Sequence, residues 1–372
     1  MDPANPTWWN RVRQMRQFSL LPGMGNGPLN NGRVKTVLED GQSRTRLEPG
    51  GWVAYPLPVE ELDRAHLLEL DYRQDLPQTL SISIIDPNLA GKVAPIGLDS
   101  GIDIGKSRVS SKAINGVHRL PFWPRSKTPW VLLVNRHPDQ PAFFGKLRIL
   151  QGTRELPKAT TISRRPSQRL VTAYFDKPLF PENFGAPEGI DPMTRSSLDD
   201  WITFYEGGDR LTRYLHFAGY NAAVVTVMCE GATLYPSTQV QGTPKYDSGI
   251  FFTTGQDPIR KDVLEMLLRK FDQRGLTLIP AIQFSSPLPG LEAQLHGDPK
   301  EATGIELTDT NDTSWVDSQG TRRGMAPYYN PVDPRVQQQM HRVLDELVKR
   351  YSHHPSFGGF AIQMSSESYS QL

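Results

Sequence analysis

In the second half of this 372-residue chain, apolar runs repeatedly end in a polar side chain. Asp176 follows Leu170–Phe175, Glu230 follows Ala222–Cys229, Gln283 follows Leu276–Ile282, and Glu367 lies just past Phe357–Met364. Carboxylates held at the ends of neighbouring strands can act as general acid, general base or nucleophile, and an amide can orient a ligand by hydrogen bonds. Four aromatic residues, Tyr235, Trp315, Tyr328 and Tyr329, lie in the long segments between these runs, where their rings could stack on the apolar faces of a cyclic ligand. Each assignment has a plainer rival. Glu367 could be an exposed loop residue, Glu230 half of a loop ion pair, Asp176 a turn or helix cap, and the aromatics the cores of their own loops.

Other reactive side chains read as structural. Cys229 is the single cysteine, which excludes an internal disulfide, and with no base near it in sequence it reads as a buried thiol. His353-His354 lacks ligand spacing around it, and adjacent residues on a turn are expected to point apart. Asp309-Thr310-Asn311-Asp312 is rich in oxygen but lacks the glycine and distal glutamate of a calcium loop, so a polar turn is expected. No metal and no cofactor is expected, and no glycine-rich phosphate fingerprint separates the first run from the first helix.

The elements that must position these residues fall into two groups. Residues 1–155 carry short alternating runs, Trp52–Tyr55, His66–Tyr72, Thr79–Ile85, Trp130–Val134 and Phe144–Leu150, divided by turn clusters such as Pro49-Gly50-Gly51. That pattern predicts an all-β sandwich, jelly-roll-like, possessing no amphipathic helix. A basic, proline-bearing stretch, 156–168, reads as a linker. Residues 169–372 then alternate apolar strands with helices at Asp209–Ala218, from Asp257-Pro258 through Phe271, and Asp333–Tyr351. In the last, Asp333 caps, Pro334 takes the first turn, and Val336, Met340, Val343, Leu344, Leu347, Val348 and Tyr351 form one face.

The order βαβαβαβ predicts a parallel sheet with right-handed crossovers. Helix-to-strand links are short and strand-to-helix links long, the asymmetry of a (β/α) barrel that builds its site at the C-terminal face. Four strands are half of the eight such a barrel needs. The second domain is therefore expected to be the first half of a (β/α)8 TIM barrel, truncated after the fourth strand. The remainder is expected from sequence beyond Leu372 or from another chain.

Composition sets the outer bounds. Hydrophobic residues make up 37% and Lys+Arg (41) nearly balance Asp+Glu (40), which fits a globular chain and gives no reason to expect nucleic acid or an anionic membrane as partner. No apolar run approaches the roughly 20 residues of a membrane span. The N-terminus lacks a signal-peptide pattern, and the compartment stays open between cytoplasmic and secreted or periplasmic.

The C-terminal half resembles the glycosyl hydrolase-like family ten group of barrel proteins. The resemblance rests on Gly219-Tyr220-Asn221-Ala222-Ala223-Val224, Gly231-Ala232-Thr233-Leu234-Tyr235-Pro236-Ser237, Asp257-Pro258 and Arg274-Gly275-Leu276-Thr277-Leu278-Ile279-Pro280. Tyr351–Phe360 is also similar to the approach to the fourth strand in many sugar-hydrolysing barrels. The resemblance implies a glycoside hydrolase acting on a polysaccharide or glycan, with Glu367 as acid/base, although Ser366 stands where such enzymes commonly carry asparagine. Glu230 would be a second acid or a sugar ligand, and Asp176, Gln283 and the aromatics would bind substrate. A retaining pair stands roughly 5–5.5 Å apart and an inverting pair roughly 6.5–9.5 Å apart. The sandwich looks like a carbohydrate-binding jelly roll. The alternative is a non-catalytic carbohydrate-binding or surface protein on a barrel scaffold.

Overall fold

The computed structural model describes residues 28–39, 41–62, 64–89, 91, 93–106, 115–151, 156, 169–178, 180–190, 195, 197–229, 232–240, 261–284, 288–297, 299–308 and 329–363. The chain divides into two units, Met1–Leu156 with Glu182–Pro187, and Pro157–Pro181 with Glu188–Leu372.

In the first unit, alternation along the chain sets which side chains face inward. In β6 (Gln78–Pro87), Leu80, Ile82 and Ile84 are buried while the residues between them are partly exposed. Ten strands form two antiparallel sheets. The first holds β1 (Leu29–Asn30), β4 (Trp52–Pro56), β9 (Trp130–Asn135), β6 and β7 (Val93–Ile104), in the order β1-β4-β9-β6-β7. The second holds β2 (Val34–Glu39), β3 (Gln42–Leu47), β10 (Ala142–Gln151), β5 (His66–Arg73) and β8 (Asn115–Phe122), in the order β2-β3-β10-β5-β8. From β3 to β10 this is the strand order of a jelly roll, with β1 and β2 added at the edges. The core between the sheets includes Leu47, Val53, Tyr55, Leu70, Ile82, Phe122, Leu133 and Phe144. The expected strands all form. Five further strands, β1, β2, β3, β7 and β8, were not among them.

The outer faces of the two sheets differ. On the second sheet, Glu69 of β5 meets Arg119 of β8 at 2.9 Å and Arg148 of β10 at 3.1 Å, and Arg148 also meets Asp71 at 2.7 Å. Such a charged ladder is the usual outer face of a two-layer sandwich. The first sheet carries apolar residues there instead.

In the second unit, β11 (Thr172–Phe175), β14 (Ala222–Cys229), β16 (Thr277–Ile282) and β17 (Ala361–Ile362) pair in parallel, each beside the next in sequence. A short strand, β15 (Ala232–Thr233), folds back on β14, and β12 (Gly189–Ile190) with β13 (Ser197–Leu198) makes a separate ribbon. Helix α1 (Trp201–Ala218) lies between β11 and β14, and α2 (Val263–Arg274) between β14 and β16. Between β16 and β17 come α3 (Pro289–Leu295), α4 (Pro299–Ala302) and α5 (Pro334–Tyr351).

Helix α5 forms as expected, with Asp333 accepting from Arg335 N at 2.8 Å and with Val336, Val343, Leu347 and Tyr351 buried. The other two main helices start elsewhere. Helix α1 begins eight residues before the expected Asp209, at a capping box in which Asp200 and Thr203 bond reciprocally. The Gly207-Gly208 pair reads as a break but sits mid-helix. A Cβ on Gly207 would meet Pro181 Cα at 2.9 Å, and one on Gly208 would meet Leu267 Cδ2 of α2 at 2.9 Å. Close packing therefore outweighs the roughly 1 kcal/mol each glycine costs a helix. Helix α2 is capped by Asp262, not by Asp257, which lies outside the described residues. The last strand is also shorter than expected. Phe357 makes only a bridge to Leu278, and Gly359, with φ 100°, leaves the extended region before Ala361–Ile362 pairs with β16.

Candidate functional site

At the C-terminal ends of the four parallel strands, polar groups converge. Thr226, fully buried on β14, places its hydroxyl 3.0 Å from Phe175 O of β11 and 2.9 Å from Gln363 Oε1, just after β17. Its single proton can serve one acceptor at a time. Gln363 Nε2 donates to Asp176 O at 3.1 Å, and Gln363 N donates to Ile282 O at 2.8 Å. One glutamine thus touches β14 at Thr226 and the ends of β11 and β16. In a flat sheet β17 and β11 would stand three strand spacings, about 14 Å, apart. A glutamine side chain cannot span that, so the sheet is strongly curled and its strand ends ring a common mouth.

Beside this bridge, the Cys229 thiol donates to Gln283 Oε1 at 2.8 Å, and Gln283 N donates to Met228 O at 2.9 Å. Cys229 is buried, in keeping with a structural thiol. Asp176 is exposed at the end of β11. Tyr174, two residues before it, has its phenol raised above the ordinary value, first by partial burial and then by the charge of Asp176.

Of the residues expected from sequence, Asp176 and Gln283 therefore stand at this mouth. Tyr235 and Tyr329 do not face a ligand. Tyr235 is fully buried, its ring edge-on to Tyr351 at 5.9 Å, and burial first of all raises its phenol. Tyr329 is likewise enclosed, its hydroxyl donating to Glu292 Oε1 at 2.5 Å and accepting from Leu288 N at 2.8 Å. Both are loop-core aromatics, and neither leaves a ring face for a sugar. Glu367, Glu230, Trp315, Tyr328 and the run 309–312 lie outside the described residues. Thr226 and Gln363 were missed because both sat inside expected strands, and the curl that joins them is a tertiary feature.

The histidine pair is also corrected. The rings of His353 and His354 do not point apart; their centroids lie 4.3 Å from each other. His354 is buried, with Nδ1 2.7 Å from Asp272 Oδ2 and Nε2 2.9 Å from Glu265 Oε2. Burial opposes its charge, but hydrogen bonds to the two carboxylates outweigh it and raise the imidazole above its ordinary value.

A second candidate site lies on the sandwich. On the outer face of the first sheet, Trp52 and Ala54 of β4 sit opposite Val134 and Leu132 of β9, with Trp130 and Ile85 beyond. They line a groove of about 710 Å³ with Ser126 and Thr128 at its polar end. The two tryptophans stand four residues apart along the paired strands, roughly 13 Å. The sequence held a sign of this, because Trp-Val-Leu-Leu-Val in β9 is apolar on both faces rather than one.

Among the described residues, no helix is long and apolar enough to cross a membrane. No curated protein matches this chain. Solved structures that are similar include the CBM22-1 xylan-binding domain of Paenibacillus barcinonensis Xyn10C, at 9% identity over 34% of this chain and 85% of that one, TM-score 0.26. A family 35 carbohydrate binding module from Clostridium thermocellum matches at 10% identity over 34% and 99%, TM-score 0.24. The exo-beta-1,3-galactanase of Phanerochaete chrysosporium matches at 12% identity over 33% of this chain and 27% of that one, TM-score 0.24. In the second unit, the Glycosyl hydrolase-like 10 family model matches residues 208–354, from within α1 to the end of the α5 turn.

Proposed function

We propose that this chain acts on carbohydrate: the sandwich, residues 1–155, holds a glycan in the groove of its first sheet, and residues 169–372, after a linker at 156–168, supply the first half of a glycoside hydrolase-type barrel, as far as its fourth strand. The observation that carries the reading is the apolar outer face bearing Trp52 and Trp130. A two-layer sandwich normally exposes polar residues there, and a contiguous apolar patch marks a binding surface. Flat indoles spaced by more than one pyranose ring suit the apolar faces of an oligosaccharide, while Ser126 and Thr128 offer hydroxyls to its rim. The barrel reading is supported by the sequential parallel strands, the curl that Gln363 bridges, and the family match.

Hydrolysis is the finer part of the proposal. Glu367 would be the acid/base, and Glu230 a second acid or a sugar ligand. Among the described residues at the four strand ends, Asp176 is the one carboxylate. Affinity electrophoresis against a panel of soluble polysaccharides tests the groove. One indole face covers about 100 Å², half of what the ring can bury. At about 25 cal/mol per Å² that is about 2.5 kcal/mol, so Trp52→Ala and Trp130→Ala should each weaken retardation by more than about tenfold with an unchanged circular dichroism spectrum. No retardation of the parent chain by any polysaccharide, or retardation of both variants as strong as the parent's, overturns the reading.

A further inference from the structure

We propose that Glu265, His353 and His354 form a binding site for a zinc-class divalent cation, with Asp272 orienting His354. The site goes beyond the carbohydrate reading and does not depend on it. It lies at the other end of the sheet from the mouth, where Phe357 bridges Leu278 near the start of β16.

Glu265 and Asp272 are seven residues apart on α2, two turns, and so share one face of the helix. The turn after α5 lays His354 across both. Asp272 Oδ2 takes Nδ1, while its Oδ1 is fixed by Ser356 N at 2.8 Å. A ring nitrogen held by a carboxylate is the usual support of a metal-binding histidine, because it fixes the tautomer and aims the other nitrogen. That other nitrogen, Nε2, faces Glu265 Oε2 at 2.9 Å. Arg269 occupies only Oε1 of Glu265, at 2.8 Å through Nε. The ring of His353 completes the group, and one ligand atom from each of the three residues lies within 4.8 Å of the others.

A tetrahedral zinc ion takes nitrogen at about 2.0–2.1 Å and carboxylate oxygen at about 2.0–2.2 Å. It would replace the proton between Nε2 and Oε2 and part those atoms by only about half an ångström. Two imidazoles and one carboxylate suit zinc and neighbouring transition metals, whereas magnesium and calcium prefer all-oxygen sites. The exposed side of His353 leaves the fourth position to water.

Isothermal titration of the full chain with zinc chloride tests the site. One equivalent should bind saturably, with a matching rise in thermal midpoint that magnesium chloride does not produce. His353→Ala, at an exposed position, should keep the fold and weaken zinc binding at least tenfold, and Glu265→Gln should do the same. Absence of saturable binding would show His354 to be a charged clamp between two carboxylates and nothing more. Undiminished binding by His353→Ala would put the ion elsewhere. Either result overturns the proposal.

Discussion

Among the described residues at the strand ends, Gln363 joins three strands through both its side chain and its backbone. Its amide accepts from Thr226, donates to the Asp176 carbonyl, and its backbone pairs with β16. Removing the side chain should cost little in spite of those contacts. Thr226 keeps Phe175 O as a second acceptor, and the Asp176 carbonyl sits on an exposed residue that water can reach. Gln363→Ala should therefore lower unfolding stability by about 1 kcal/mol, the net worth of one or two hydrogen bonds. A urea titration measures it, and a loss several times larger would mean that the bridge holds the curl of the sheet rather than following it. The site was only half legible in sequence for the same reason. Asp176 and Gln283 could be read off as polar residues ending apolar runs. Gln363 looked like one more strand residue, because nothing local reports that β17 is two residues long or that β11 curls back toward it. Tyr235 and Tyr329 show the converse: an aromatic in a long loop carries no mark of whether its ring faces a ligand or the loop's own core.

Among the elements, α5 was legible because every local signal agreed, and α1 was not because two glycines spoke against it. Asp333, Pro334 and the apolar stripe of α5 specify its start and inner face independently of the rest of the chain. The Gly207-Gly208 pair means a break by propensity, and only the approach of Pro181 and Leu267 explains it. The agreement of signals in α5 can be measured at its cap. Asp333 is held below the ordinary carboxylate value, first by its hydrogen bond from Arg335, against the opposing effect of desolvation. A depressed folded value means the stabilisation is complete above the ordinary value of 3.8 and is lost as the pH falls through the lower folded value. Asp333→Ala should thus cost about 1 kcal/mol at neutral pH, and the gap between variant and parent should narrow in acid. Urea midpoints taken across that range measure it. A gap that stays constant well below 3.8 would leave the cap's charge with no part in the stability of α5.

For the molecule as a whole, the two units manage their sheet edges differently. The sandwich buries the inner faces of both sheets against each other, and one edge of its first sheet is the two-residue β1. The parallel sheet has less protection. Among the described residues, β11 pairs only with β14 on one flank and β17 only with β16 on the other. Around these outer strands Tyr174 is 57% and Ile362 52% exposed, and Val171 and Phe360 are also exposed. Open edges carrying apolar side chains recruit further strands, which is what a closed barrel avoids. The 372 residues in isolation should therefore self-associate, with a weight-average mass in sedimentation velocity that rises with concentration. Ile362→Lys, placing a charge on the outer strand, should reduce that rise while leaving the circular dichroism of the sandwich unchanged. A concentration-independent monomer would mean that the outer strands are satisfied within these residues, and the half-barrel reading would then lose its physical basis.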